Sequence, residues 1–265
     1  MSVFRDQLNR KIELSGIPKR IISIVPSQTE LLFYLGLDAE VIGVTKFCVH
    51  PVDKVNSIAK IGGTKHLDIE KIRLLAPDLI IANKEENDRH QVEELMNICP
   101  VWISDISDLN SALQMIECIG DITGRSEQGN ILCNEINNRF NGIKLPLTTL
   151  KVAYFIWRKP FMVAGKNTFI DCMLQRCGLN NAIKSERYPE IDAEDLIMAN
   201  PDIIFLSSEP YPFTQKHIEE FKVLLPNTRV ILVDGEMFSW YGSRLLYAPA
   251  YFEQLISELF KINYN

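Results

Sequence analysis

Short apolar runs alternate with amphipathic stretches along most of the chain. In the first half the runs are residues 20–25 (Arg20-Ile21-Ile22-Ser23-Ile24-Val25), 41–44, 79–82 and 101–103, and in the second half residues 151–156, 203–206 and 229–233. Each is rich in β-formers and bounded by Gly, Pro or polar residues, the pattern of a buried strand. Between them, Pro26-Ser27-Gln28-Thr29-Glu30 reads as a capping box with Gly36 as the helix stop, and helices are predicted near 88–97 and 168–177. Alternating strand and helix implies a mainly parallel sheet covered on both faces. From Ser107 to Asn141 the period is helical throughout, with a break at Gly124-Arg125-Ser126. The second of these helices, Ser126 to Asn141, would be about 24 Å long at 1.5 Å per residue. Its apolar residues Ile131, Leu132, Ile136 and Phe140 share one broad face, as a helix bridging two lobes requires.

One element occurs twice. Leu67-Asp68-Ile69-Glu70-Lys71-Ile72-Arg73-Leu74-Leu75-Ala76-Pro77-Asp78-Leu79-Ile80-Ile81-Ala82 returns, without a gap, as Ile191-Asp192-Ala193-Glu194-Asp195-Leu196-Ile197-Met198-Ala199-Asn200-Pro201-Asp202-Ile203-Ile204-Phe205-Leu206, 124 residues later. Asp68 and Asp192 can N-cap a short helix, Pro77 and Pro201 cannot continue it, and a buried strand follows. Glu70 and Glu194 fall in the first turn, where the helix dipole favours a carboxylate. The expected fold is α/β: an N-terminal lobe over residues 1–122, one long bridging helix within 123–146 and a C-terminal lobe over 147–265, with mainly parallel sheets.

A net charge of −6 without a Lys/Arg cluster excludes a nucleic-acid partner and an anionic membrane surface, since both need a basic face. No apolar run approaches the roughly 20 residues that span a bilayer. Residues 1–10 lack the apolar core of a signal peptide, so the expected address is cytoplasmic, or periplasmic if an upstream signal precedes Met1. The six cysteines form no CxxC pair, so no zinc ribbon or thioredoxin-type site is indicated; most read as buried thiols, with a disulfide, for instance between lobes, left open. A monomer is expected.

Candidate chemistry gathers at the strand ends. Aromatic residues concentrate there in the second half: Trp157 and Phe161 around Arg158-Lys159-Pro160, then Tyr211 and Phe213, then Phe238, Trp240 and Tyr241. Aromatic walls suit the face of a planar, partly apolar ligand. In the first half, His50 and His66 flank predicted elements on the same edge and are candidate axial ligands to a chelated iron or cobalt, while no residues are predicted to hold a bare metal directly. Gly165-Lys166-Asn167-Thr168 lacks the upstream glycine of a phosphate loop, and no nucleophile elbow or His-Glu-x-x-His occurs. An enzyme, and with it a catalytic cofactor, is therefore not expected.

With Arg20-Ile21-Ile22-Ser23 ahead of Pro26-Ser27-Gln28-Thr29-Glu30-Leu31 and the doubled Glu…Pro-Asp element, the chain resembles the helical-backbone (class III) substrate-binding proteins of ABC importers, nearest their cobalamin- and siderophore-binding branch. The resemblance runs from about Arg10 to the last helix. It implies two α/β lobes with the ligand held between them and only small opening motions. It also implies that Glu70 and Glu194 dock onto arginines of the ABC permease, that Phe47 and Tyr188 match cleft aromatics, and that Phe161 does so with a one-residue slip. Thr64 stands where the cobalamin-binding prototype has a tryptophan. Cys177 matches a cysteine that the prototype joins to its last helix, which has no cysteine here. The ligand class so implied is a metal chelate: cobalamin or another corrinoid, haem, or a ferric siderophore. The alternatives are a cytosolic carrier or sensor of such chelates working without a permease and, less supported by the residues, a chelatase-like enzyme.

Overall fold

A computed structural model describes residues 2–146 and 148–261. The expected start of the C-terminal lobe, residue 147, lies outside the described residues. The chain forms two compact units: one holds the chain up to Ile106, Asn110–Asn137 and the late segment Tyr241–Arg244, the other Ser107–Leu109, Asn138–Trp240 and the chain from Leu245.

In the first unit a hairpin of β1 (Ser2–Arg5) and β2 (Lys11–Leu14) precedes β3 (Ile21–Ser23), α1 (Pro26–Tyr34), β4 (Val41–Val44), the one-turn α2 (Val52–Val55) and β5 (Ala59–Lys60). Then come α3 (Ile69–Leu74), β6 (Leu79–Asn83), α4 (Arg89–Leu95), β7 (Val101–Ser104) and α5 (Leu109–Ile122). The five-stranded sheet has order β5-β4-β3-β6-β7, every pairing parallel. Ile21 and Ile22 of β3, Leu79, Ile80 and Ile81 of β6, and Leu31 and Leu32 of α1 are fully buried, as continuous apolar strands covered on both faces should be. The α1 stop is the expected one: Gly36 takes φ +77°, its N–H donates to Phe33, and Leu37 N–H reaches Leu32, which satisfies two terminal carbonyls. The α1 start differs. The helix begins at Pro26 with Val25 as its cap and no side-chain capping bond, and Glu30 pairs with Arg244 at 2.6 Å. Proline at the first position needs no amide partner, so the capping box has little left to satisfy.

Helix α6 (Ser126–Gly142) has 17 residues, about 25 Å, and begins after Gly124 at φ +71°. Its residues to Asn137 group with the first unit and those from Asn138 with the second. Leu132, Cys133, Ile136 and Phe140 are buried, whereas Ile131 is 57% exposed, one step around the helix from the packed stripe.

The second unit contains β8 (Lys151–Trp157), β9 (Phe161–Val163), α7 (Phe169–Arg176), β10 (Asn180–Asn181), β11 (Glu190–Ile191), α8 (Ala193–Ala199) and β12 (Ile203–Ser207). After these follow α9 (Gln215–Leu224), β13 (Arg229–Val233), the one-turn α10 (Glu236–Ser239), a 3₁₀ turn at Ser243–Leu246 and α11 (Ala248–Lys261). The order is β11-β9-β8-β12-β13, with β10 beside the start of β8. β8, β10, β12 and β13 pair in parallel, while β9 turns back antiparallel on β8 and β11 pairs antiparallel with β9. The stretch 157–161 is thus a hairpin turn within the sheet rather than a loop leading to a helix.

The two copies of the repeated element fold alike. Asp68 accepts from Lys71 N–H at 3.0 Å, Asp192 accepts from Asp195 N–H at 2.8 Å, and the Asp195 carboxylate accepts in turn from the Asp192 amide. Asp68→Ala and Asp192→Ala should each lower the unfolding free energy by about 0.5–2 kcal/mol, the latter more because a reciprocal bond is lost with it, as urea denaturation would register.

Candidate ligand-binding loops

Each sheet presents its parallel strands' carboxyl ends at one edge, where open α/β sheets hold ligands. In the first unit this edge carries the loops after β4 (45–51), β5 (61–67) and β6 (84–88). A buried polar network sets their positions. Asn87 donates to the carbonyls of Ile24 and Thr64, each at 3.1 Å, and accepts from Asn83 N–H at 2.8 Å. Asn83 donates to Ser104 Oγ at 3.0 Å, which also accepts from Gln28 and donates to the Ala82 carbonyl at 3.1 Å. Thr29 and Thr45 contact Cys48 Sγ at 3.1 and 3.2 Å, so the loop after β4 is tied to α1. Burial pushes the Cys48 thiol up, and the two hydroxyls only partly offset this, so Cys48 is a neutral packing group and not a thiolate ligand.

On this floor Phe47 is 51% exposed, Lys46 Nζ lies 5.1 Å from its ring centroid, and the ring packs over Gly63. A Cβ at Gly63 would come within 3.1 Å of the Phe47 ring, so glycine lets that ring edge approach the turn closely. That turn is tight: Gly63 N–H donates to His66 O at 2.8 Å, and Gly62 at φ +98° has no room for a side chain. The structure therefore brings Phe47 to the turn that carries Thr64 and His66, with Lys46 beside it. Thr64 is half-buried and its carbonyl is taken by Asn87, while His66 is exposed. His50, half-buried, precedes a cis Pro51 at the far end of the β4 loop. Tyr241 belongs to this unit, not the second: its hydroxyl donates to Glu86 of the β6 loop.

The second unit's edge carries the β8–β9 turn and the loops after β12 (208–214) and β13 (234–240). Trp157 is 40% exposed, donates to Lys159 O at 3.1 Å and meets Tyr211 edge-on at 5.5 Å between centroids. Arg158 beside it is held by both Glu220 oxygens, at 2.9 and 2.8 Å, and is no free anion clamp. Phe161 is half-buried, with Phe155 at 5.5 Å and Phe221 at 5.3 Å. Tyr188 lies back from the strand end, between Pro189, whose carbonyl accepts from Val163, and Arg187, whose carbonyl accepts from Gly165.

Three expected wall residues are core: Tyr241, 6% exposed, Phe238 and Trp240. Phe238 is fully buried against Tyr154, Phe205 and Phe252, because α10 folds back onto the sheet and turns that ring inward. Trp240 is 5% exposed, and its indole N–H donates to Glu209 at 2.9 Å. Glu209 also accepts from Ser239. Burial pushes the Glu209 carboxyl above the ordinary carboxylate range, neighbouring Glu236 and Asp234 add to this, and the Ser239 and Trp240 donors pull it partly back. Sequence reasoning did not single out Glu209, Asn87 or Lys46. The only signal for the first two was their place in strand-end loops.

In each unit the repeated glutamate begins at this edge. α3 starts directly after the turn that carries His66, and α8 directly after β11, which runs parallel to β8. Glu70 is 82% exposed in its side chain, 3.8 Å from Arg73, and Glu194 is also exposed.

Known proteins share this architecture. A family model described as periplasmic binding protein matches residues 21–223. The chain belongs to the periplasmic binding protein family. Among curated relatives of this family member, a vitamin B12-binding protein of Vibrio campbellii is 28% identical over 73% of this chain and 72% of its own length. An uncharacterised ABC transporter substrate-binding lipoprotein of Bacillus subtilis, YvrC, is 26% identical over 75% of this chain and 67% of its own. Among solved structures, the periplasmic heme-binding protein HutB of Vibrio cholerae superposes with a TM-score of 0.76 at 20% identity, covering 91% of this chain and 98% of that one. The two-unit α/β expectation is borne out.

Two outcomes separate wall from core. Phe238→Ala should cost about 3–5 kcal/mol and Phe47→Ala should stay within about 0.5 kcal/mol of the parent in urea denaturation. For Glu209, a raised native carboxyl means the folded state holds a proton that the unfolded state has released. Stability through this group therefore falls as pH rises from the ordinary carboxylate range through the raised value. Glu209→Gln keeps an acceptor for Ser239 and Trp240, so its stability relative to the parent should improve between about pH 5 and pH 8, measured by denaturant titration at both.

Proposed function

We propose that this chain is the substrate-binding component of an ABC importer and captures a metal chelate of the corrinoid, haem or ferric-siderophore class with its strand-end loops. The observation that carries the reading is the Phe47 ring, half exposed, with one edge against the Gly63 turn and Lys46 Nζ over it. An exposed aromatic ring paired with a cation suits a ligand with a flat apolar ring and peripheral acidic groups. The names of two of the proteins above support that class, one being named for vitamin B12 and the other for heme. Trp157, the other exposed ring at a strand end, is a second wall on its own unit. Phe161, Tyr188 and Tyr241 are half-buried or hydrogen-bonded positioning groups rather than open walls. His66, exposed on the turn adjoining Phe47, is the better axial-ligand candidate, and His50 is the lesser one.

In this reading Glu70 and Glu194 dock the loaded protein onto a permease. The exported or lipid-anchored setting of the relatives supports action outside the cytoplasmic membrane, in place of the cytoplasmic address that the first ten residues suggest. No catalytic step is assigned.

Titration of the purified chain with cyanocobalamin, haemin and a ferric hydroxamate, followed by tryptophan emission, tests the reading. At least one should quench Trp157 with micromolar affinity, Phe47→Ala should weaken it about tenfold, roughly the 1.4 kcal/mol that a stacked ring contributes, and His66→Ala should shift the Soret or corrin band of the complex. Absence of a response to all three would overturn the proposed ligand class.

A further inference from the structure

The two copies of the repeated element match in more than their caps and glutamates. Ile72 and Leu196, 124 residues apart, are each fully buried and anchor α3 and α8 in the same orientation. Two residues on, Leu74 and Met198 also correspond, and they are 85% and 75% exposed. Each lies one helical turn past its glutamate, at i+4, so Glu70 with Leu74 and Glu194 with Met198 share a helix face. A lone exposed leucine needs no explanation. The same position left open in both copies, beside the same carboxylate, is a patterned surface. Val223 is the control: it is 84% exposed on α9 and also stands one turn past an exposed glutamate, Glu219, but it lies outside the repeated element.

We propose that Leu74 and Met198 are apolar knobs of the docking surface, and that the partner is an integral permease presenting one socket twice, each with an arginine for the carboxylate and an apolar recess one helical turn away. The inference rests on the docking role proposed for Glu70 and Glu194 and adds to it the side chains that would be desolvated on contact. A carboxylate alone steers encounter, while a buried apolar anchor lengthens the life of the complex. The match between copies calls for a partner that offers two like sockets, each basic and apolar: a lipid surface offers no discrete socket, and a second copy of the chain would set its own Glu70 and Glu194 faces against these carboxylates.

A photo-crosslinking residue placed at 74, 198 or 223 of the full chain, in the cells that carry it, should capture the same polytopic permease subunit from positions 74 and 198 and not from 223, as mass spectrometry would identify. The captured permease complex in lipid nanodiscs is then titrated with the parent, Leu74→Ser/Met198→Ser and Glu70→Ala/Glu194→Ala. Both double variants should keep the parental melting temperature within a few degrees, and each should bind at least tenfold more weakly. If only the glutamate variant weakens, the knobs fail and the docking carboxylates stand. If neither weakens, the docking role of the glutamates fails with them. Capture of lipid, of a second copy of this chain, or of different proteins from the two positions also overturns the proposal.

Discussion

The arrangement of the first unit depends on one buried amide. Asn87 sits at the carboxyl edge of the sheet and ties three backbone segments: the end of β3 through Ile24, the β5 turn through Thr64, and its own loop through Asn83. Its partners continue through Asn83 and Ser104 to Gln28 at the start of α1. Inside a low-dielectric core each of these groups would be costly if left unpaired, so the network fixes the loops it joins. The Gly63 turn and the Phe47 ring above it are consequently preset rather than assembled around a ligand. Preset walls spare the ordering entropy that a binding protein would otherwise lose at each capture.

The second unit reaches a comparable result by different means. Its edge is held by aromatic packing and by Glu209, which fastens Ser239 and Trp240 beneath the loop after β12. The repeat thus preserves backbone topology and the α3/α8 helix starts while the edge chemistry diverges: amides and hydroxyls in one unit, rings and a buried carboxylate in the other. Because both helix starts follow directly from strand-end segments, the surface assigned to the permease begins, in each unit, at the same edge as the surface assigned to the ligand. In the first unit only three residues separate His66 from Glu70.

The strands, the bridging helix and the doubled element were legible in the sequence because each rests on local rules: β-rich runs, a glycine with positive φ, an aspartate cap and a proline stop. The failures share a cause. Glu30 fits a capping box locally, but Arg244, more than two hundred residues on, claims it. Phe238 and Trp240 look like loop aromatics until α10 turns them onto Tyr154 and Glu209. Ile131 belongs to the helix but falls beside its buried stripe. Long-range partners decide these cases, and a single sequence does not display them. For the candidate site, the strand-end loops themselves were legible, and Phe47 and Trp157 are exposed on them; which other rings face solvent was set by packing.

If the strand-end loops of these two sheets form the ligand site, hydrogen–deuterium exchange of the chain with and without whichever chelate it binds should show it most directly. Protection should rise in residues 45–51, 61–67 and 84–88, and around Trp157 and Tyr211, while the amino ends of the strands and the helix ends beside them stay unchanged. Protection confined to those opposite ends, with the loops unaffected in a saturated complex, would contradict the assignment.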